Sequence, residues 1–260
     1  MGTGGHAVPH AARVWLTALV LVFLALATAL WPGTQPAMAT SVPFAGTPAV
    51  GALFSVTSGG QLGRHFCTAS VVDSPGGDLL VTAAHCVQGY SDSAPAGLAF
   101  VPAYDNGSAP YGVWTVTRIF VDRAWASAAD PDDDVAFLTV AQSQDGTTLQ
   151  SVTGGESLGI GRPARGVMRV IGYPESSDRP IVCRNLVTSF SPTQLQFDCQ
   201  GFTGGTSGSP FLTDVNPATG TGTVVGVIGG YQQGGDTPDV SYAAALRGDA
   251  ASLYQQASAV

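Results

Sequence analysis

The chain has 260 residues and a formal charge of −8, and its ten basic residues are all arginine. Without lysine it cannot contain a Ser–Lys dyad, a Schiff-base lysine or the lysine of a phosphate-binding loop. The acidic balance argues against a nucleic-acid partner. With 45% hydrophobic residues, 34 glycines and 17 prolines, the composition is that of a turn-rich globular protein with more strand than helix.

Residues 1–39 have the pattern of a secretory signal peptide. A single arginine precedes the uncharged apolar run Val14–Leu30, and Ala37–Ala39 offers a small-x-small cleavage pattern. A membrane anchor is the alternative, because a span needs roughly 17–25 apolar residues, but no basic stop-transfer flank follows the run. We therefore expect a secreted protein without stable membrane association. Thr40 would be its first residue, and 40–49 would be a mature N-terminal segment or a short propeptide.

The four cysteines all lie in the exported part of the chain, at Cys67, Cys86, Cys183 and Cys199. They allow three pairings, between which the sequence alone does not choose. Nearest-neighbour pairing would put one bridge in each half of the chain, each contributing about 3 kcal/mol in the chain-entropy model. A zinc site from His65, Cys67, His85 and Cys86 is the alternative, but no C-x-x-C pair is present and exported thiols tend to oxidise.

Short runs rich in β-branched and aromatic residues, bounded by turn-forming residues, predict a series of strands. These runs are Val50–Thr57, Phe66–Val72, Leu79–Thr82, Leu98–Val101, Val113–Val121, Val135–Val140, Val167–Gly172, Ile181–Thr188, Leu195–Phe197, Pro210–Leu212, Val224–Ile228 and Val240–Leu246. Many short strands at this spacing indicate β-sandwiches or β-barrels. The polar stretch Ala141–Gly159 is the predicted linker between two β halves, residues 50–145 and 146–260. Asp249–Ala259 has the spacing of a terminal helix behind an aspartate cap.

The first segment that could carry chemistry is Thr82–Cys86, which directly follows an apolar strand. Small residues around His85 would allow its ring to be held against a neighbouring part of the chain. The exported chain has only two histidines, His65 and His85, so a general base working near neutral pH has few candidates. A packed structural histidine is the alternative for His85, and it is the favoured interpretation of His65.

The second segment is the glycine-rich run Gly204–Pro210, with Ser207 between two glycines in the pattern G-T-S-G. A nucleophilic serine needs its hydroxyl on a tight turn, with backbone N–H groups directed to where an oxyanion would form. The glycines permit the backbone angles of such a turn. An ordinary Gly/Ser loop is the alternative interpretation of this segment.

The third segment is Asp130–Leu138, in which an acidic cluster meets an apolar run. Asp134 stands directly before that run, where a carboxylate can become desolvated and orient an imidazole. A solvated acidic turn and a calcium loop are the alternatives. The spacing lacks the D-x-D-x-D-G pattern of an EF-hand loop, which argues against calcium.

Taken together, the three segments give histidine, aspartate and serine in the chain order of a known catalytic template. The motifs TAAHC around His85, DDDVAFL around Asp134 and GGTSGSP around Ser207 resemble the signatures of the chymotrypsin-like serine peptidases. The form GTSGSP is more similar to the bacterial, glutamyl-endopeptidase-like branch than to animal trypsins. The resemblance extends from about Val50 to Leu246.

This resemblance implies an all-β fold of two six-stranded antiparallel barrels with a C-terminal helix, and a site in the cleft between the barrels. His85 and Asp134 would come from the first barrel and Ser207 from the second. His85 would take the proton from Ser207 and deliver it to the leaving amine, while Asp134 would hold the imidazole in the right tautomer. The backbone N–H groups of Gly205 and Ser207 would form the oxyanion hole.

The resemblance also bears on the cysteines and on function. Cys67–Cys86 matches the bridge that fixes the histidine loop in the family, and Cys183–Cys199 is similar to a second-barrel bridge. The implied activity is that of a secreted serine endopeptidase acting on protein or peptide substrates, and the alternative is a secreted binding protein that keeps the fold without useful turnover. We expect no cofactor and no metal, and no motif demands more than a monomer.

Several positions depart from the family pattern. Thr206 replaces the aspartate that pairs with a newly cut N-terminus in animal members, so that activation switch is expected to be absent. Gly201 stands where trypsins have their specificity aspartate, and no histidine follows His85 to hold a substrate glutamate. Four residues are predicted to bind substrate: Gly201, Gly229, Gly230 and Tyr231. The last three match the strand that pairs with the substrate backbone, and the glycines suggest a pocket for a small or apolar side chain.

Overall fold

The computed structural model describes residues 1–4, 37–90, 92 and 97–260. The apolar run Val14–Leu30, on which the predicted signal peptide depends, lies outside these residues. Across the described ranges, every helix is too short or too polar to cross a bilayer.

The first barrel is closed by six antiparallel strands. After a short strand β1 (Val42–Pro43), these are β2 (Val50–Val56), β3 (Leu62–Val71), β4 (Leu79–Thr82), β5 (Leu98–Pro102), β6 (Trp114–Val121) and β7 (Ala136–Val140). They pair in the order β2-β3-β4-β7-β6-β5. Strands β4, β5 and β7 are buried along their whole length, because one face fills the barrel and the other packs against neighbouring elements.

The second barrel is formed from the remaining strands. These are β8 (Ser157–Leu158), β9 (Gly166–Gly172), β10 (Ile181–Ser189), β11 (Gln194–Asp198), β12 (Pro210–Thr213), β13 (Thr223–Ile228) and β14 (Val240–Ala245). Six of them follow the order β10-β11-β14-β13-β12-β9, and the pairing of β9 with β10 closes the barrel. Strand β1 adds to β10, and β8 pairs in parallel with β13. The expected fold of two six-stranded antiparallel barrels is thus confirmed.

In the part of the chain that the structure describes, three short α-helices accompany the barrels: α1 (Arg123–Ala128), α2 (Leu149–Thr153) and α3 (Gly248–Ser258). Helix α2 and strand β8 lie inside the stretch 141–159, so the predicted linker contains regular structure. The terminal helix begins one residue earlier than predicted, and the expected aspartate cap is wrong. Arg247 occupies the cap position without a side-chain bond, and Asp249 lies in the first turn.

A shared core holds the barrels and the terminal helix together. From the second barrel, Ile171 and Tyr173 pack into the same buried cluster as Phe54 and Phe137 of the first. The ring of Tyr254 in α3 meets the ring of Phe137 in β7 edge-on at 5.8 Å between centroids. Helix α3 therefore lies on strands β6 and β7 of the first barrel, although it follows the second barrel in the chain.

The two disulfides join nearest neighbours along the chain. Cys67 is bonded to Cys86 in the first barrel, and Cys183 to Cys199 in the second. Each bridge closes a short loop, of 19 and 16 residues in sequence separation. Because the sulfurs of Cys67 and Cys86 are bonded to each other, neither is a thiolate that could bind zinc, and the zinc alternative loses half of its donors.

Glu156 is a fully buried carboxylate at the end of the connection between the barrels. One carboxylate oxygen, Oε2, accepts a hydrogen bond from the N–H of Gly222, whereas Oε1 has no partner among the described residues. Burial raises the pKa of Glu156 from 4.5 to about 7, against smaller opposing effects of the hydrogen bond from Gly222 and of the charge of Arg169. The folded protein therefore binds a proton at Glu156 more tightly than the unfolded chain does.

We expect this carboxylate to make the protein less stable as the pH rises. Its contribution is fully present below the unfolded pKa of 4.5 and is lost as the pH rises through about 7. Glu156→Gln removes the charge, so it should raise the unfolding free energy above pH 7 by about 2–3 kcal/mol relative to wild type. Urea unfolding at pH 5 and pH 8 measures this, with Glu175→Gln, at an exposed glutamate, as control. An equal gain in both variants would contradict the assignment to Glu156.

Candidate active site

His85 lies on a single 3₁₀ turn, Ala84–Val87, that directly follows strand β4. The disulfide from Cys86 to Cys67 ties this turn to strand β3. The His85 side chain is 13% exposed, so most of the ring is enclosed while one edge reaches solvent. The turn thus presents a partly shielded imidazole at the end of a buried strand.

Asp134 is completely buried and lies at the end of the 3₁₀ turn Pro131–Asp133, just before strand β7. Its Oδ1 accepts the backbone N–H of His85 at 2.9 Å. Its Oδ2 lies 2.8 Å from Nδ1 of the same histidine and accepts the N–H of Gly230 at 2.8 Å. Three donors replace the water that burial removed from this carboxylate. With Nδ1 as the donor, Nε2 of His85 is left as the basic nitrogen.

Ser207 lies in the loop between strands β11 and β12, and glycines shape this loop. Gly205 and Gly208 have φ angles of +91° and +82°, in the left-handed region that side chains disfavour. A Cβ at Gly208 would also overlap the carbonyl oxygen of Thr68 and the hydroxyl of Thr82. The glycine after the serine is therefore needed both for the backbone angle and for close contact with the first barrel.

The backbone N–H groups of this loop are used in an alternating way. Thr206 donates to the carbonyl of Thr203 at 3.1 Å, and Gly208 donates to the carbonyl of Ile228 at 2.7 Å. The N–H groups of Gly205 and Ser207 donate no hydrogen bond to any part of the chain that the structure describes. The loop thus has two unpaired donors, the N–H of Ser207 itself and that of Gly205, as an anion-binding site requires.

His85 and Ser207 line the same cleft, a cavity of about 390 Å³. Apolar surface comes from Phe202 and Ile228, and the far wall is formed by residues 232–238. In that wall, Nε2 of Gln232 donates to Oδ2 of Asp236 at 2.6 Å. The sequence predicts a pocket for a small or apolar side chain. This wall of the cavity is polar, because the loop after β13 contributes amide and carboxylate groups.

None of the four residues predicted to bind substrate lines this cavity. Strand β13 ends at Ile228, and the chain leaves the extended conformation at Gly230, where φ is +76°. The N–H of Gly230 is bonded to Asp134 rather than available to a substrate. Tyr231 begins a tight turn and donates its N–H to Gln194 Oε1 at 3.2 Å. Residues 229–231 thus lie outside strand β13, and their pairing with a substrate backbone stays a prediction.

Gly201 and Gly229 have packing roles. A Cβ at Gly201 would overlap the hydroxyl of Ser41, in the N-terminal segment that pairs with the second barrel. A Cβ at Gly229 would lie 2.8 Å from Oδ2 of Asp134 and 3.2 Å from Cβ of Ala83. Gly229 thus leaves room for the buried carboxylate, and this requirement gives no local signal in the sequence.

His65 is buried away from the cleft, as its structural interpretation predicts. Its ring packs edge-on against Phe54 at 5.6 Å and lies 6.0 Å from the ring of Tyr104. Burial lowers the pKa of His65, and the nearby charge of Asp178 opposes this only in part. The ring therefore packs as part of the buried aromatic cluster with Phe54 and Tyr104.

The structure also identifies two polar residues that the sequence interpretation missed. Gln194, almost fully buried, donates from Nε2 to the carbonyl of Pro131 at 2.8 Å and to Oδ1 of Asp132 at 2.9 Å. It thereby joins the turn before Asp134 to the turn at Tyr231. Thr68 contacts the loop of Ser207 from the first barrel. A single glutamine or threonine within a strand pattern carries no distinctive signal, so neither could have been selected from the sequence.

Comparisons with known proteins agree with this geometry. Residues 67–240 match the family model described as a trypsin-like peptidase domain. The chain belongs to the family of trypsin-like peptidases. Its enzyme class is that of the serine endopeptidases.

Three solved structures with the same fold are proteases. The protease Anisep from Arthrobacter nicotinovorans is 24% identical, with a TM-score of 0.69 over 85% of this chain and 100% of that chain. The thermostable serine protease AL20 from an extremophilic microorganism is 25% identical, with a TM-score of 0.68 over 82% and 98%. A Glu endopeptidase in complex with MPD is 16% identical, with a TM-score of 0.63 over 86% and 99%. No curated protein matches the chain.

We expect Gly229→Ala to impair peptide hydrolysis without unfolding the protein. The added methyl group would press on Oδ2 of Asp134 and displace the carboxylate from His85. A misplacement of about 1 Å near reacting groups costs on the order of 100-fold in rate, so kcat/KM should fall by about 10- to 100-fold. The control is Gly248→Ala, where a Cβ would meet open space. Full activity of Gly229→Ala would show that the carboxylate tolerates the methyl group.

Proposed function

We propose that this protein is a secreted serine endopeptidase that uses Ser207 as nucleophile, His85 as general base and Asp134 to orient the histidine. The observation that carries the proposal is the buried contact of 2.8 Å between Asp134 and Nδ1 of His85, at the edge of a cleft that Ser207 also lines. The pair leaves Nε2 of His85 as the basic nitrogen, as a serine nucleophile requires.

In the proposed reaction, Ser207 Oγ attacks the carbonyl carbon of the substrate while its proton passes to Nε2 of His85. The tetrahedral intermediate collapses when His85 donates this proton to the leaving amine, which breaks the C–N bond and leaves an acyl-enzyme. Water then attacks the ester by the same route, which breaks the bond to Ser207 Oγ, releases the acyl part as a carboxylic acid and returns the proton to Ser207. Asp134 stabilises the imidazolium in both halves and keeps its own charge.

The proposed oxyanion hole consists of the N–H groups of Gly205 and Ser207. Both are unpaired within the described chain, while the N–H groups of Thr206 and Gly208 are engaged elsewhere. Donors that are already in place stabilise the negative charge of the tetrahedral intermediate without reorganisation. Loss of one such donor costs about 3–4 kcal/mol in enzymes of this kind.

The Ser207 loop is supported without the ion pair that activates animal members of the family. Thr206, which stands where animal members have an aspartate, is buried, and its hydroxyl donates to the carbonyl of Thr203 at 2.7 Å. This bond lies within the loop itself and needs no new N-terminus. We propose that the active arrangement forms on folding.

Secretion is supported by the disulfides and by the N-terminal pattern. Both cysteine pairs are oxidised, and disulfides persist in extracellular or other oxidising compartments. Small residues at Ala37 and Ala39 precede Thr40, whose backbone bridges to Gln200 of the second barrel. Cleavage after Ala39 would keep the hydrogen bond from the N–H of Ser41 to the carbonyl of Gln200 and remove the one from the N–H of Gln200 to the carbonyl of Ala39.

The nucleophile can be tested by labelling the purified exported protein with a fluorophosphonate and locating the adduct by mass spectrometry. We expect the adduct on Ser207, because the reagent reports a serine activated by a base. Ser207→Ala should abolish labelling and peptide hydrolysis, and His85→Ala should reduce both by about 10³-fold or more. Ser209→Ala, at a buried serine in the same loop, is the control for folding. A folded wild-type chain that binds peptides but forms no adduct would support a non-catalytic binding protein instead.

Secretion can be tested separately by N-terminal sequencing of the protein recovered from the medium of the producing cells. We expect the sequence to begin at Thr40 or within residues 40–49, because the small-x-small triplet is the cleavage signal. Replacing Ala39 with a bulky residue (Ala39→Phe) should cause the uncleaved precursor to accumulate, with Ala45→Phe as the control. Membrane-bound protein that retains Met1 would show that the apolar run acts as an anchor.

A further inference from the structure

Thr68 lies where the first barrel touches the loop of Ser207. It is fully buried in strand β3, next to the disulfide at Cys67. Its backbone N–H donates to the carbonyl oxygen of Ser207 at 2.8 Å, and its hydroxyl donates to the carbonyl oxygen of Gly205 at 3.1 Å. Thr68 thus holds the two residues whose N–H groups form the proposed oxyanion hole.

The hydroxyl of Thr68 can have only one orientation. The N–H of Tyr173, at the end of strand β9, donates to Oγ1 of Thr68 at 2.9 Å. A backbone N–H is only a donor and a carbonyl is only an acceptor, so the hydroxyl proton must go to Gly205. One side chain of the first barrel therefore fixes both the Ser207 loop and the segment that follows β9.

Every carbonyl group from Gly204 to Ser207 has a hydrogen-bond donor. Thr68 supplies the donors for Gly205 and Ser207, as described above. The N–H of Glu175 donates to the carbonyl of Gly204 at 2.7 Å, and the N–H of Ser209 donates to the carbonyl of Thr206 at 3.0 Å. These contacts fix four successive peptide groups of the loop.

Fixing the carbonyl groups also fixes the N–H groups. The N–H of each residue lies in the same rigid plane as the carbonyl of the residue before it and points the opposite way. The carbonyls of Gly204 and Thr206 point toward the N–H groups of Glu175 and Ser209. The N–H groups of Gly205 and Ser207, in the same two planes, therefore point the opposite way. The bonds from Thr68 hold the two peptide groups that alternate with these, so the loop cannot rotate one plane independently of the next.

We infer that Thr68 is a positioning residue that holds the oxyanion-hole donors through its hydroxyl group. Without the hydroxyl, the carbonyl of Gly205 and the N–H of Tyr173 would both be buried without a partner, and rotation of the Gly205–Thr206 peptide would relieve this cost. The rotated plane carries the N–H of Thr206 and lies between the two planes that carry the N–H groups of Gly205 and Ser207, so its rotation would change the backbone angles at Gly205 and Thr206 and shift both donors. The inference rests on the proposed roles of Gly205 and Ser207, and it adds a residue outside the triad.

The test compares Thr68→Val with Thr68→Ser. Valine has the shape of threonine without the hydroxyl, whereas serine keeps the hydroxyl. We expect Thr68→Val to lower kcat by about 10- to 100-fold with KM changed by less than about 2-fold, because the oxyanion is present only in the transition state. Thr68→Ser should restore kcat to within about 3-fold of wild type.

A second readout is specific to the oxyanion hole. A peptide aldehyde adds the Ser207 hydroxyl across its carbonyl group, and the former carbonyl oxygen occupies the hole. Its inhibition constant should rise in Thr68→Val by about the same factor as kcat/KM falls, while KM for the matching substrate stays the same. If Thr68 had a purely structural role, Thr68→Val would change the melting temperature and the amount of active enzyme. It would not change the ratio of the aldehyde inhibition constant to the KM of the matching substrate.

Thr139→Val is the matched control. Thr139 is also a buried threonine of the first barrel, and its hydroxyl lies 2.8 Å from that of Thr117, away from the Ser207 loop. It should keep the wild-type kcat and aldehyde affinity. If Thr68→Val does not fold, Thr68→Ala, which leaves room for water, is measured in the same way.

The outcomes separate this inference from the proposed function. If the wild type is active and Thr68→Val keeps its kcat and aldehyde affinity, the inferred role of Thr68 is overturned. The proposed function is then unaffected. Equal losses in Thr68→Val and Thr139→Val would overturn it as well, because the effect would then be general. A folded wild type without hydrolysis or fluorophosphonate labelling would overturn the proposed function, and this inference with it.

Discussion

The buried carboxylate of Asp134 is the group on which the rest of the site depends. It receives two hydrogen bonds from His85 of the first barrel and one from Gly230 of the second. A buried charge is costly unless donors replace its water, so the elements that carry these donors must keep fixed relative positions. The disulfide at Cys86 fixes one of them, and the missing side chain of Gly229 allows the other to approach. The hydrogen bonds that Asp134 needs therefore also constrain how the two barrels pack against each other.

The two barrels are held together by polar contacts as well as by an apolar core, because the site needs fixed relative positions of its groups. Burial of large side chains such as Phe137 and Tyr173 supplies attraction without direction. Direction comes from the hydrogen bonds of Thr68 and Gln194, each of which joins segments more than 60 residues apart in the chain. The first bonds the loop of the serine, and the second bonds the turn before the aspartate. Together they place the groups that the two barrels present to the cleft.

Most strands could be predicted because each is a local pattern. Strand β4 occurs at the predicted residues Leu79–Thr82, since an apolar run bounded by turn residues has few other ways to be buried. Strands β1 and β8 were missed because each is only two residues long and is a strand only through its pairing with β10 or β13. Helix α2 was missed because a five-residue helix has too little periodicity to be recognised in a polar stretch.

The sequence by itself determined most of the strands, the cysteines available for bridging and the three segments around His85, Asp134 and Ser207, because these depend on residue types within a few positions of each other. Only the tertiary structure decided that the N–H of Gly230 donates to Asp134, across 96 residues. It also decided which loop walls the cleft and which threonine holds the serine loop. These features are hydrogen bonds and close contacts between distant segments. Their geometry exists only after the barrels have packed, so no local pattern encodes it.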